Sequence, residues 1–207
     1  MGYYPVSVDL TGRACLVVGG GAVALRKAVG LIEAGARVTV VSPSLTPPLL
    51  DLAAEAGVHW RPRAYAPGDT VGFILVMVAT GDLAVNAAVA AECRERGVWV
   101  NCADDPARCD FILPSVFRRG AVTVAVSTGG ATPTMARLVR EELDAFLPDD
   151  IGALTEVVGS VRRSLSEGGV SLDAARWRQA LDGELRRLVA AGRTAEARAR
   201  LRERLGV

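Results

Sequence analysis

The stretch that decides the fold is ACLVVGGGAVALRK, residues 14–27. Five residues typical of a buried strand run directly into three glycines, and an amphipathic helical pattern follows them. Gly19, Gly21 and Ala24 give the G-x-G-x-x-A spacing, in which the first glycine allows a tight turn and the second lets the backbone approach a pyrophosphate. The helix start then offers free N–H groups to phosphates. The pattern therefore predicts a dinucleotide-binding loop, and a purely structural turn is the alternative.

The sequence on either side of this loop repeats the alternation of strand and helix. Short apolar runs alternate with helical periods over residues 13–101, which is typical of βα units and a parallel sheet. Gly35, Gly57 and Gly97 mark helix ends, and Thr46 and Asp82 mark helix starts. The expected strands are ACLVV, RVTVV, VHW, FILVMV and VWVNC.

The pattern changes after residue 101. FILPSVF and AVTVAVS, joined by Arg118, Arg119 and Gly120, predict an antiparallel pair with a tight turn. Thr132 predicts the start of a helix that runs to about Phe146, and only helical signals follow residue 151. We therefore expect an α/β fold with three parts: a Rossmann-like domain over residues 1–112, a small antiparallel and helical segment over 113–148, and a helical domain over 149–207.

Composition excludes several classes of function. The 207 residues are 50% hydrophobic, and 24 basic against 23 acidic residues leave a net charge of +1. This balance supplies no broad field for nucleic acid or an anionic membrane. One histidine and four cysteines without a C-x-x-C pair argue against a metal site or a disulfide framework. No secretory leader is visible, so we expect a cytoplasmic protein that binds neither nucleic acid nor membrane.

Two strand ends supply further candidates for cofactor contacts. Many dinucleotide sites have an acidic residue near the end of the second strand that binds the ribose hydroxyls. In this sequence the second strand ends at Ser42, so the loop alone does not decide between NAD and NADP. Thr80 follows the fourth strand at the same sheet edge and is a candidate contact for the nicotinamide side. Its alternative role, with Asp82, is an ordinary helix cap.

An acidic turn follows the fifth strand. Asp104 and Asp105 stand in NCADDP, at the carboxyl edge of the sheet where a carboxylate can act as a general base. A solvated Asp-Asp-Pro turn is the alternative, and composition alone favours it.

These segments together resemble one family. The chain is similar over residues 3–150 to the precorrin-2 dehydrogenases, which form the dehydrogenase and ferrochelatase module of siroheme synthase. The resemblance implies NAD-dependent oxidation of precorrin-2 to sirohydrochlorin, in some members followed by insertion of ferrous iron (Fe2+). It also implies a Rossmann domain and an intertwined homodimer. The segments that carry it are LVVGGGAVALRK, VTVVSPSL, VATGD, VNCADDP, FILPS, VAVSTGGATP and ARLVREEL.

The resemblance also assigns roles to individual residues. The catalytic aspartate of the family falls on Asp104, because Asn101 and Pro106 keep the frame of the motif. An acidic ribose ligand is not part of the family pattern, so its absence here is no objection to NAD. The implied cofactor contacts are Gly20, Gly21, Ala22, Val23, Ser42 and Pro43, beside Gly19 of the turn.

The substrate carries many carboxylates, and two regions are candidates to bind it. Ser127, Thr128 and Gly129 lie directly before a helix start, where backbone N–H groups suit a carboxylate, and a glycine-rich link into the helix is the alternative. Arg118 and Arg119 offer charge-assisted hydrogen bonds, although both fit a solvated hairpin turn equally well.

Two alternatives to the enzyme remain at this stage. A non-catalytic sensor would bind NAD(H) without turnover and would not need Asp104. An oxidoreductase acting on another small molecule would keep the cofactor but leave precorrin-2 unchanged. Cys102 and Cys109 flank the acidic turn, yet without partner ligands they do not indicate a metal site.

Overall fold

The computed structural model describes residues 2–103 and 105–207, so Met1 and the predicted catalytic Asp104 lie outside the described residues. The chain divides after Leu113 into two compact units. Each unit has its own secondary structure and is described by itself. The predicted separation of residues 113–148 from 149–207 stays a prediction.

The first unit contains a five-stranded parallel sheet in the order β3-β2-β1-β4-β5. From β1, the chain adds β2 and β3 on one side and then adds β4 and β5 on the other side. The carboxyl ends of β1 and β4 therefore form the switch point at which such sheets bind ligands. The elements are β1 (Ala14–Val18), α1 (Ala22–Glu33), β2 (Arg37–Val41), α2 (Pro47–Glu55), β3 (His59–Arg61), β4 (Leu75–Val78), α3 (Leu83–Arg96), β5 (Trp99–Cys102) and a 3-10 turn (Pro106–Arg108).

Burial on both faces explains the apolar strands. Along β1, Cys15 and Val17 belong to the core on the side of α1 and α2, whereas Leu16 and Val18 belong to the core on the side of α3. Because successive side chains of a strand point to opposite faces, a strand covered on both sides needs an unbroken apolar run. The predicted α/β fold with a Rossmann-like parallel sheet is confirmed.

The second unit begins with a two-stranded antiparallel sheet and continues as helices. The turn between the two strands lies against the first turn of α5, where a Cβ on Gly152 would stand 2.7 Å from the Arg119 carbonyl oxygen. Leucines and valines of α5, α7 and α8 form a separate core. The elements are β6 (Ser115–Arg119), β7 (Val122–Val126), α4 (Pro133–Phe146), α5 (Ile151–Glu167), α6 (Ala174–Ala180), α7 (Gly183–Ala190) and α8 (Thr194–Leu205).

Helix α4 leaves large apolar side chains on the surface of its unit. Ala136 is its one buried residue, whereas Met135 and Leu138 are each 45% exposed and Phe146 is 80% exposed. Several exposed large apolar side chains on one helix are typical of an interface. Among the helices of the described chain, none has the length and apolar character needed to cross a membrane.

Candidate functional site

The turn from β1 into α1 depends on glycine at its first position. Gly19 has a φ of 126°, and its N–H donates to the Val41 carbonyl oxygen at 3.0 Å. A Cβ there would stand 2.2 Å from the Ala79 carbonyl oxygen, at the end of β4. Any side chain at this position would therefore disturb both the backbone conformation and the approach of β4.

The space for a side chain at Gly20 is restricted by the loop that follows β2. A Cβ on Gly20 would stand 1.9 Å from the Ser44 carbonyl oxygen and 2.6 Å from the Ser42 hydroxyl. The Gly20 carbonyl in turn accepts a hydrogen bond from the Thr46 N–H at 2.9 Å. The sequence pattern gave no steric reason for this glycine, because the contact arises only when the two loops meet.

Gly21, by contrast, faces open space at the start of α1. Nothing lies within 4 Å of a Cβ at this position. The helix begins without a side-chain cap and without an acidic residue in its first turn. Its first N–H groups therefore lack acceptors inside the helix and carry a partial positive charge. This combination suits a phosphate group.

The loop after β2 uses its polar groups internally. The Ser42 hydroxyl donates to the Ser44 carbonyl oxygen at 2.7 Å, and the Trp60 indole N–H donates to the Ser42 carbonyl oxygen at 2.9 Å. Ser42 is buried and Pro43 is exposed. The predicted contacts of Ser42 and Pro43 with a cofactor stay predictions.

Thr80 belongs to the hydrogen-bond network at the start of α3. Its hydroxyl donates to the Asn86 amide oxygen at 2.7 Å, and the Asn86 amide nitrogen donates to the Thr80 carbonyl oxygen at 3.2 Å. Asp82 is the cap, since its carboxylate accepts from the N–H groups of Ala84 and Val85. Thr80 therefore supports the capped helix start, and its contact with the nicotinamide stays a prediction.

The acidic turn leaves β5 at the carboxyl edge of the sheet. The Ala103 N–H donates to the Val78 carbonyl oxygen at 2.9 Å, which places the start of the turn beside the end of β4. Asp105 forms an ion pair with Arg108. Asp110 closes the turn, because its carboxylate accepts from the Val100 N–H at 2.9 Å. The turn therefore begins near the switch point of the sheet.

Sequence reasoning missed Lys27, which lies buried on α1. Its ammonium donates to the Asn101 amide oxygen at 2.6 Å and lies 4.0 Å from the Met77 sulfur. The spacing of Lys27 with Ala24, Ala28 and Leu31 is that of the apolar helix face. This position on the core-facing side was the signal that could have identified it.

The two cysteines that flank the turn are free thiols, of which Cys102 is buried and Cys109 is half-buried. Burial raises the pKa of Cys102 to about 11, with a further rise from Cys109 and Asp105. The Cys109 sulfur accepts from the Cys102 N–H at 3.1 Å and lies 3.2 Å from the Cys102 carbonyl oxygen. No cluster of three or more potential metal ligands occurs among the described residues.

In the second unit, the polar groups before α4 bond to one another. The Ser127 hydroxyl oxygen accepts from the Gly129 N–H at 3.1 Å. The Thr128 hydroxyl bonds to both the N–H and the carbonyl oxygen of Thr132. Thr132 itself caps the helix by accepting from the Met135 N–H. The predicted substrate contacts at Ser127, Thr128 and Gly129 stay predictions.

Arg118 and Arg119 differ in their surroundings. Arg118 is exposed. The Arg119 guanidinium donates to the Asp144 carbonyl oxygen at 2.6 Å and to the Leu147 carbonyl oxygen, and it pairs with Asp149 at 3.2 Å. Arg119 therefore satisfies carbonyl groups at the end of α4, where a cation is favourable. The predicted substrate contacts of Arg118 and Arg119 stay predictions.

Comparison with known proteins agrees with this geometry. A family model described as NAD(P)-binding matches residues 6–115, and a model described as sirohaem biosynthesis protein central matches residues 119–145. Siroheme synthase 1 of Serratia proteamaculans is 41% identical over 207 residues, which are 99% of this chain and 44% of that protein. The siroheme synthase of Thioalkalivibrio sulfidiphilus is also 41% identical, over 99% of this chain and 42% of its own length. The chain thus spans less than half the length of these relatives.

A solved structure is also similar over nearly the whole chain. The precorrin-2 dehydrogenase SirC has 25% sequence identity and a TM-score of 0.77. The match covers 97% of this chain and 100% of that one. Unlike the longer relatives, SirC is therefore matched over its whole length.

Proposed function

Because the chain belongs to the NAD(P)-binding family whose model spans residues 6–115, we propose that it oxidises precorrin-2 to sirohydrochlorin with NAD in siroheme biosynthesis. The start of α1 is the observation that carries the proposal. There, Gly21 leaves open space in front of uncapped N–H groups, at the switch point of the sheet. The full-length similarity to a precorrin-2 dehydrogenase supports the choice of substrate.

The residues of the glycine loop fit the cofactor. Gly19 and Gly20 bring the ends of β2 and β4 close to the loop, and Gly21 opens toward solvent. In this proposal the N–H groups of Gly21, Ala22 and Val23 bind the pyrophosphate. When bound, NAD+ accepts the hydride that leaves the substrate.

The ribose end of the site favours NAD over NADP. An extra phosphate on the ribose would need a cationic partner. Arg61 and Arg63, at and beyond the carboxyl end of β3, both pair with the buried carboxylate of Asp69, at 3.0 Å and 2.5 Å. The hydrogen bond from Arg63 is the main reason that the pKa of Asp69 is lowered. Both arginines are therefore occupied at neutral pH.

Asp104 is the proposed general base. Oxidation of precorrin-2 releases a hydride and a proton, and a carboxylate near the cofactor can accept that proton. The chain position of Asp104, directly after Ala103 at the end of β5, supports this role. Arg118, Arg119, Ser127, Thr128 and Gly129 are the proposed contacts of the substrate carboxylates.

Insertion of Fe2+ into sirohydrochlorin is a second step that the resemblance allows. The described residues contain no preformed cluster of metal ligands. Iron would therefore enter as a substrate, with the tetrapyrrole nitrogens as its ligands and Asp104 as the acceptor of their protons.

We also propose that the protein works in the cytoplasm as a homodimer. The apolar surface of α4, with Phe146 80% exposed, is the observation that supports a partner at this helix. Size-exclusion chromatography with light scattering would measure the mass. A monomer at micromolar concentration would contradict the dimer.

The test of function is an anaerobic absorbance assay of precorrin-2 with NAD+. We expect the wild type to form NADH and sirohydrochlorin, and Asp104→Asn to lower kcat by about 10²-fold or more. Asp105→Asn is the matched control and should stay within a few-fold of wild type. A repeat with Fe2+ would show insertion as a further spectral change.

Two results would contradict the proposal. A wild type that binds NAD+ but leaves precorrin-2 unchanged would favour the sensor or a different substrate. Equal loss in Asp104→Asn and Asp105→Asn would exclude a special role for Asp104.

A further inference from the structure

A single buried lysine connects α1 to the strand that precedes the acidic turn. Lys27 is the one lysine in a chain of 24 basic residues, and it is only 7% exposed. Its ammonium donates to the Asn101 amide oxygen at 2.6 Å, on a helix face that is otherwise apolar. Burying a charge is costly, and an apolar side chain of similar size would often serve stability as well or better.

Asn101 links Lys27 to the acidic turn through a second hydrogen bond. Its amide oxygen faces Lys27, while its amide nitrogen donates to the Phe111 carbonyl oxygen at 2.9 Å and lies 3.6 Å from the Cys109 sulfur. An ammonium only donates hydrogen bonds and a carbonyl only accepts them. A neutral amide is therefore suited to bridge the two, and Lys27 fixes which way the amide points.

Hydrogen bonds join the two ends of the turn between β5 and Phe111. Cys109 bonds to the backbone of Cys102 through its sulfur, and the Asp110 N–H donates to the Val100 carbonyl oxygen at 2.8 Å. Asn101 lies at the first end of the turn and holds Phe111 at the other. Asp104, the proposed base, lies within this segment of the sequence.

Lysine and arginine are not equivalent at this position. A guanidinium brings five N–H donors in a rigid plane, whereas an ammonium brings three donors on a compact head. Every other basic residue of the chain is an arginine, so a lysine at this buried position is not explained by the composition of the rest.

We propose that Lys27 is a positioning residue for the dehydrogenation, acting through Asn101 to hold residues 102–111 where the base can reach the substrate proton. This inference rests on the proposed function. It assigns Lys27 no contact with substrate or cofactor. Its effect is on the placement of the turn.

The first test is a kinetic double-mutant cycle on the full chain. Lys27→Met keeps the length of the side chain without the charge, and Asn101→Leu removes the bridging amide. Each should lower kcat by about 10²-fold, the loss that a misplacement of about 1 Å produces. The KM for NAD+ should stay within about threefold of wild type. Because both residues act through one bridge, the double variant should lose no more than the worse single variant.

Arg26→Met is the matched control, since it removes a positive charge from the exposed side of the same helix. It should leave kcat and KM unchanged. If the losses in kcat of the two single variants multiply in the double variant, the proposal is overturned. A Lys27→Met enzyme with wild-type kcat, or one whose defect lies only in the KM for NAD+, would overturn it as well.

The second test does not depend on the substrate. Hydrogen–deuterium exchange with mass spectrometry should show faster exchange of peptides covering residues 102–111 in Lys27→Met, but not in Arg26→Met, with the rest of the sheet unchanged. Should the wild type fail to oxidise precorrin-2, the proposed function falls and this measurement still decides whether Lys27 holds the turn. Unchanged exchange in residues 102–111 would overturn the proposal, as would a uniform increase across the first unit.

Discussion

The chain has two glycine-rich loops before helices, and they differ in what satisfies the helix start. Before α1, no side chain caps the helix, and Gly19 and Gly20 lie against neighbouring backbone. Before α4, Thr132 caps the helix, and a Cβ on Gly129 or Gly130 would meet nothing within 4 Å. In the second loop the glycines serve turns with positive φ.

This difference shows when a glycine run before a helix indicates an anion site. Helix N–H groups are available to a ligand only where the chain itself does not satisfy them. The loop before α1 meets this condition. The loop before α4 bonds its own hydroxyl groups to its own backbone, so a substrate carboxylate bound there would compete with those internal hydrogen bonds.

The largest expected effect is that of Gly20→Ala in the first loop. The new methyl group would collide with the Ser44 carbonyl oxygen, 1.9 Å from the ideal Cβ. Because the obstacle is backbone, we expect the loop after β2 to be displaced, the melting temperature to fall by several degrees and NAD+ affinity to fall by about 10²-fold or more. Calorimetry measures both quantities.

Gly30→Ala is the control for this substitution. Gly30 lies inside α1 with nothing within 4 Å of its Cβ, so alanine should stabilise the helix by about 0.5–1 kcal/mol. If Gly20→Ala raises stability as Gly30→Ala does, the loop before α1 has no steric requirement for glycine. In that respect it would be the same as the loop before α4.

Gly21→Ala separates binding from stability in the same loop. Its φ of −89° is open to any residue, and its Cβ would meet no protein atom. We therefore expect an unchanged melting temperature but a loss of about tenfold in NAD+ affinity, because the methyl group enters the space assigned to the pyrophosphate. A wild-type affinity of this variant for NAD+ in a titration would contradict a phosphate site at the start of α1.

Thr132→Ala examines the second loop. Loss of the cap on α4 should lower the free energy of unfolding by about 1 kcal/mol, measured by urea denaturation, and Thr132→Ser should restore most of it. Because Thr132 is not among the proposed contacts of the substrate, the KM for precorrin-2 should change little. A large rise in that KM with intact stability would make the two loops alike as binding sites.

The smallest effect concerns a charged cap, at the start of α7. Asp182 accepts from Arg200 and from the Leu185 N–H, and these contacts lower the pKa of its carboxyl to about 2. Its stabilising contribution is therefore complete above about pH 4 and is lost as the pH falls toward 2. Urea midpoints at pH 5 and pH 3 should differ less in Asp182→Asn than in wild type. The Thr132 cap, which does not titrate, should show no such dependence.

Much of the fold was predictable because local patterns decided it. The runs ACLVV and RVTVV coincide with β1 and β2. The run FILPSVF predicted too early a start for β6, which begins at Ser115. Pro114 has no N–H for a strand, and the Phe111 carbonyl oxygen is already used by Asn101.

The candidate site was less predictable, because its restraints come from residues distant in sequence. The steric demand on Gly20 comes from Ser44, and the role of Arg119 comes from carbonyl groups at the end of α4. Lys27 and Asn101 are 74 residues apart. Only their positions could be anticipated, Lys27 on the apolar face of α1 and Asn101 near the end of a buried strand.

The burial of Lys27 also makes the native protein resistant to one kind of cleavage. An endoprotease specific for lysine has a single site in this chain, and that site is inside a helix packed on the sheet. Cutting after Lys27 therefore requires α1 to open, so the rate of cleavage measures how often it does. A ligand that binds at the start of α1 should slow this cut in proportion to its occupancy.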